Sequence, residues 1–136
     1  MTTIRIANHA FATASSGKAL NIALWTLQLL VALVFVAAGS GKLVGSAQMV
    51  ALFDAVGLGQ WFRYVTGLLE VLGALLLIVP GKTAFGAVLL ACVMAGAVVA
   101  HLTVLHTAPA APLVLFALTA LIAWGRRSQV AGLLGS

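Results

Sequence analysis

The chain is almost without acid: among its 136 residues only Asp54 and Glu70 carry a carboxylate, and charged residues of both signs make up 7%. At 63% hydrophobic, too few polar residues remain to clothe a soluble domain of this length. An integral membrane protein is expected. Cysteine is equally scarce. Cys92 alone can form neither an intramolecular disulfide nor a Cys-x-x-Cys pair, which excludes dithiol exchange as an internal mechanism, and an iron–sulfur site would need several thiolates. Cys92 is expected to be a small packing residue. Histidine is limited to His9, His101 and His106. The last two lie five residues apart and would point about 140° apart on one helix, so they do not make the facing ligands of a b-type haem. No metal site and no intrinsic cofactor are expected; a redox role would use a bound quinone or lipid, or a partner subunit.

Basic residues are the exception to this poverty of charge, giving a net charge of +5. They are spread over segment ends rather than gathered in a patch, so a nucleic-acid partner is not expected. Four apolar runs, roughly 20–41, 61–79, 83–105 and 109–125, are each long enough to cross a hydrocarbon core about 30 Å thick. If the runs alternate in direction, Arg5, Lys18, Lys82, Arg126 and Arg127 fall on one side, and Lys42 and Arg63 on the other. The positive-inside rule then places both termini in the cytoplasm, within the inner membrane of the cell. Trp25 and Trp124 near the inner ends and Trp61 at the outer face fit that frame. A cleaved signal peptide ending near Val36-Ala37-Ala38-Gly39 is the competing reading of the first run, which is longer than an h-region of about 7–15 residues.

Residues 1–17 read as a cytoplasmic tail and 18–136 as a single domain. Between the first two runs, Ser46 is placed to cap a short helix from Ala47 to Val56. Met49, Leu52, Phe53 and Val56 share its apolar face and Asp54 lies opposite, the pattern of an outer interfacial helix that could lie over the bundle. Pro80-Gly81 and Thr107–Pro112 mark tight turns that force neighbouring helices antiparallel. The fold expected is all-α, an integral membrane four-helix up-down bundle with one short interfacial helix. Small residues recur every fourth position in the third run, as Ala87, Ala91 and Ala95 and as Cys92, Gly96 and Ala100. Such ridges let helices approach closely in lipid, either inside the bundle, the favoured reading, or in a homodimer.

Glu70 stands near the centre of the second run, where an isolated charge costs roughly 2.5 to 3.5 kcal/mol. A side chain placed there at such cost faces a partner, a bundle interior or a substrate path. Arg63 lies seven residues earlier on the same helical face, with Gly67 and Ala74 in the same stripe. Lys42 ends the first run on the outer side and His101 nears the outer end of the third. Lys42, Arg63, Glu70 and His101 are therefore the candidate ligand-binding residues; no catalytic residue is assigned.

Phe35–Leu43 reads FVAAGSGKL, Gly67–Glu70 reads GLLE, Gly96–Leu102 reads GAVVAHL, and Trp124–Arg126 closes the last run. In this order and spacing the segments resemble the DoxX-like family of small four-helix membrane proteins, over about residues 22–127. The resemblance carries over Gly39, Lys42, Glu70 and His101. It implies association with redox complexes, since relatives in the wider group are named for subunits of terminal quinol oxidase and thiosulfate:quinone oxidoreductase. Three readings follow. The chain is a scaffold or accessory subunit whose Glu70 pairs with Lys42 or Arg63; or it binds a quinone or isoprenoid lipid in a pocket centred on Glu70, with His101 as a second hydrogen-bonding group; or it is a small proton-coupled transporter. Lys42 and Arg63 would repel a cationic cargo. Partners beyond the bilayer would be a membrane-complex subunit or a second copy, and one glutamate, one lysine and one histidine are an incomplete set for catalysis.

Overall fold

The computed structural model describes residues 2–135, with side chains described from residue 17 onward, Leu133 excepted, and at Thr3 and Arg5. Every element among the described residues is helical: α1 (Thr2–Val44), α2 (Ala47–Val56), α3 (Gln60–Ile78), α4 (Thr83–Ala100) continued by a π-helical turn (His101–Leu105), α5 (Ala110–Gly125) and α6 (Ser128–Leu134). The stretch expected as a tail continues α1 in its backbone, and the side chain of His9 lies outside those described.

Three stretches are long and apolar enough to cross a membrane: Gly17–Val44, Gln60–Ile78 and Thr83–Leu105. The fourth apolar run folds as α5, whose 16 residues reach about 24 Å. Pro109 at its start and buried Pro112 in its first turn sit where the N–H groups have no partner within the helix. Helix α6 has no counterpart in the sequence-based expectations. At seven residues it is too short to show a periodicity.

Helix α1 packs on α3, α3 on α4, α4 on α5, and α5 returns to α1. The enclosed core gathers Val31, Ala32 and Phe35 from α1, Ala74 and Leu77 from α3, Ala87, Leu90 and Met94 from α4, and Ile122 from α5. Large aliphatic side chains such as Leu30, Leu33, Leu68, Leu75, Val114 and Leu121 point outward. Meanwhile Gln28, Arg63, Glu70, Thr83 and Thr119 are buried. This inversion suits lipid, which solvates leucine as well as a protein core does and leaves close packing and polar contacts to hold the helices together.

One expectation about packing is corrected. The Cys92–Gly96 ridge of α4 does not enter the bundle: Cys92, Ala95 and Gly96 are exposed, and a Cβ on Gly96 would meet nothing within 4 Å. The face of α4 that packs inward carries Gly86, Ala87 and Leu90 instead. Gly86 sits so close to α3 that a Cβ would lie 2.7 Å from the Gly73 carbonyl oxygen.

Helix α2 has the expected limits and buries Phe53, which meets Phe62 of α3 edge-on at 5.8 Å. Ser46 makes no side-chain cap; its carbonyl accepts from the Val50 N–H at 2.9 Å. At the other end Gly57 takes φ 83°, a left-handed turn that glycine adopts without steric cost, and its N–H returns to the Phe53 carbonyl.

Candidate functional site

The expected site forms where α1 and α3 cross. Gly39 and Gly67 face each other there: a Cβ on Gly39 would lie 2.8 Å from the Gly67 carbonyl oxygen and 2.8 Å from Val71 Cγ2. A Cβ on Gly67 would lie 2.9 Å from both the Gly39 carbonyl oxygen and Lys42 Cβ. Neither backbone could accept a side chain without separating the helices. Three residues beyond each glycine comes its charged neighbour, and Lys42 Nζ donates to Glu70 Oε2 at 2.9 Å. The pair is well enclosed, with side-chain exposures of 14% for Lys42 and 2% for Glu70. Within a low-dielectric bundle the attraction of such a pair is strong, and so is the penalty for leaving either charge alone.

Arg63 shares the Glu70 face, as expected, but not its carboxylate. Buried at 4% exposure, it donates through Nη1 to the Lys42 carbonyl and through Nε to Gln60 Oε1 at 2.6 Å, and it stacks 4.2 Å over the Tyr64 ring. Lys42 is in the last turn of α1, so Arg63 satisfies one of the carbonyls that a helix end leaves without an internal partner. Gln60 in turn donates to Asp54 Oδ1 at 2.6 Å and to the Val50 carbonyl at 3.1 Å. A continuous chain of bonds therefore runs from Glu70 through Lys42, Arg63 and Gln60 to Asp54, joining α3, α1 and α2. His101 stands apart from it. Its Nδ1 pairs with Thr107 Oγ1 at 2.7 Å, and no described hydrogen bond or ion pair joins it to Glu70, Lys42 or Arg63.

A second polar cluster, not foreseen from the sequence, lies at the opposite end of the same helices. Gln28 of α1 is fully buried; its Nε2 donates to the Leu77 carbonyl at 2.9 Å and to Thr83 Oγ1 at 3.4 Å. Thr83 Oγ1 donates to the same Leu77 carbonyl at 3.1 Å, so the end of α3 is closed twice over. The Gln28 Oε1 accepts from Arg126 Nε at 2.8 Å, and Arg126 Nη1 donates to Asn21 Oδ1 at 2.7 Å. From α6, Gln129 Oε1 accepts from the Ala84 N–H at 2.9 Å and so serves a free donor in the first turn of α4. Arg126 has no carboxylate partner among the described residues, and its Nη2 is buried with no acceptor there. Partial burial draws the Arg126 pKa below its ordinary value, yet a guanidinium remains a cation at any physiological pH.

Three of the four candidate residues are thus brought together and the fourth is not. Chemically, the assembled three form a connected set whose visible work is to lock three helices. The pattern that signals them is charge inside an apolar run; the second cluster, built on neutral amides, has no such mark. The DoxX-like family model matches residues 26–123 of the chain, a stretch that holds every residue of the first cluster and, of the second, Gln28 and Thr83. No curated protein and no solved structure matches.

Proposed function

The chain belongs to the DoxX-like family, and on that premise we propose that it is a non-catalytic scaffold or accessory subunit of a redox-associated complex in the inner membrane. Four helices cross the bilayer in this reading, up and down in turn, with both termini cytoplasmic and α2 on the outer face. The observation that carries it is the seating of the Lys42–Glu70 pair over the Gly39–Gly67 contact. A carboxylate held by an ammonium between two touching backbones fixes the register of α1 on α3 and leaves little freedom to exchange a ligand. Charge placement supports the orientation, since five of the seven basic residues belong to the end bearing the termini.

The test separates assembly from ligand binding. Glu70→Gln should destabilise the protein and release it from the complex, and a Lys42→Met/Glu70→Met double variant should recover both. A Glu70→Gln protein that stays assembled, yet loses a quinone or isoprenoid that accompanies the wild type through gentle purification, would overturn this reading. Glu70 would then be a ligand-binding group. Mass spectrometry of the extracted small molecules, run beside co-purification of the complex, reads both outcomes.

A further inference from the structure

At the α6 end, the stretch of α1 around Leu20 and Leu24, the last turns of α5, and α6 together line a groove of about 780 Å³. Its lining is mostly apolar, with Leu20 and Leu24 from α1 and Leu121 and Trp124 from α5, joined by Arg127 and Ser128. We propose that this groove binds one anionic phospholipid, with the phosphate on Arg127 and Ser128 and an acyl chain along Leu20, Leu24 and Leu121.

Three observations carry the assignment. The first is polarity: a groove lined by leucines together with a cation and a hydroxyl matches a molecule with an apolar tail and an anionic head. The second is the state of the cation. Arg127 is exposed but held in place, with its guanidinium 4.1 Å over the Trp124 ring and Nη1 donating to the Trp124 carbonyl at 2.7 Å. Among the described residues one donor is spent in this way and no other donor of the Arg127 guanidinium has a partner, which leaves room for a phosphate that a guanidinium grips with two parallel bonds. The third is charge complementarity. The only acids of the chain, Asp54 and Glu70, both belong to the opposite cluster, while Arg126, adjacent to Arg127, carries a buried Nη2 with no described acceptor. Among the described residues no side-chain carboxylate lies on this end, and basic recesses between membrane helices are suited to anionic head groups. Trp124 also fits the boundary between acyl chains and head groups, where its ring is wetted at one edge.

The proposal is tested on the full chain in detergent by native mass spectrometry. Phosphatidylglycerol and phosphatidylcholine with the same acyl chains are titrated separately, and free inorganic phosphate is added as a competitor. One phosphatidylglycerol should bind at concentrations where phosphatidylcholine does not. Arg127→Gln with Ser128→Ala should weaken that binding about tenfold while the helical circular dichroism is kept. Arg127→Lys, a milder change that guards against a folding defect, should retain the preference for phosphatidylglycerol with reduced affinity. Lys82→Gln removes the same charge outside the groove and should leave the bound lipid in place. Equal binding of the two lipids overturns the proposal, as does unchanged binding in the double variant. An equal loss in Lys82→Gln would mean a diffuse attraction with no site. Displacement by phosphate at concentrations equal to the lipid would mean that the groove contributes nothing.

Discussion

The two ends of the helical bundle solve one problem in different ways. Each must satisfy backbone groups left open where helices stop, in surroundings where water is scarce. At the α2 end the work is done by a charged group, Arg63, which serves the Lys42 carbonyl beside the Lys42–Glu70 pair set mid-helix at 2.9 Å. At the α6 end it is done by amides and a hydroxyl, through Gln28, Thr83, Gln129 and Asn21, with Arg126 as the one charged member. The difference follows depth. A carboxylate in the middle of α3 has no reach to water and must be neutralised by a partner, whereas Arg126 lies just past the last residue of α5 and can keep its charge. The mid-span carboxylate is therefore paired, while the guanidiniums nearer the span ends, Arg63 and Arg126, are held by amides and carbonyls.

The sharpest way to break this comparison is to remove one member of the deep pair. Glu70→Gln leaves the Lys42 ammonium enclosed without its counter-charge, and unfolding in mild detergent should show a loss of about 3 to 5 kcal/mol, most of it regained in Lys42→Met/Glu70→Met. A single variant as stable as wild type would show that the pair does not hold the α2 end. Next comes Gln28→Leu at the other end, expected to cost about 1 to 3 kcal/mol, because Arg126 Nε loses its acceptor while the Leu77 carbonyl keeps Thr83. A loss as large as that of Glu70→Gln would erase the distinction between charged and neutral ends. Asp54→Ala should change stability by no more than about 0.5 kcal/mol, since Asp54 is exposed and Gln60 retains the Val50 carbonyl. Hydrogen exchange confined to α2 should reveal its loosening; protection lost throughout α3 would show instead that α2 braces the bundle. Smallest of all, Arg127→Gln should leave the melting temperature almost unmoved, so its expected effect on lipid binding cannot be charged to misfolding.

How legible each part was in the sequence follows from contrast. Glu70 and Lys42 stand out because a charge among apolar residues demands a reason, and the helical period then puts Arg63 and Gly67 on the Glu70 face. That period could not say which partner Glu70 takes, because the choice depends on how α1 rotates against α3. Gln28 and Gln129 were illegible for the opposite reason: an uncharged amide makes no such demand until its bonds are seen. The α4 ridge shows a related limit. Spacing finds a stripe of small residues at Cys92, Gly96 and Ala100, but a helix hydrophobic on all sides offers no polar face to tell inside from outside, and Cys92 and Gly96 turned outward. Helix α2 was legible to its end residues because its apolar face and closing Gly57 are both local signals.

The π-helical turn at His101–Leu105 bears on how this chain can change length. Such a turn holds one residue more than an α-helical path needs, and here the His101 carbonyl takes the Thr107 N–H at 3.0 Å while His106 reverses the backbone at φ 51°. A one-residue deletion between 101 and 105 has a ready remedy, since the segment can close as ordinary α-helix with the core of α4 in place. The same deletion between Gly67 and Glu70 has none: it would swing the carboxylate about 100° around α3, away from the ammonium it meets. The end of α4 should thus tolerate the loss of a residue, whereas the count between the glycine and the glutamate of α3 is fixed by the pair it has to align.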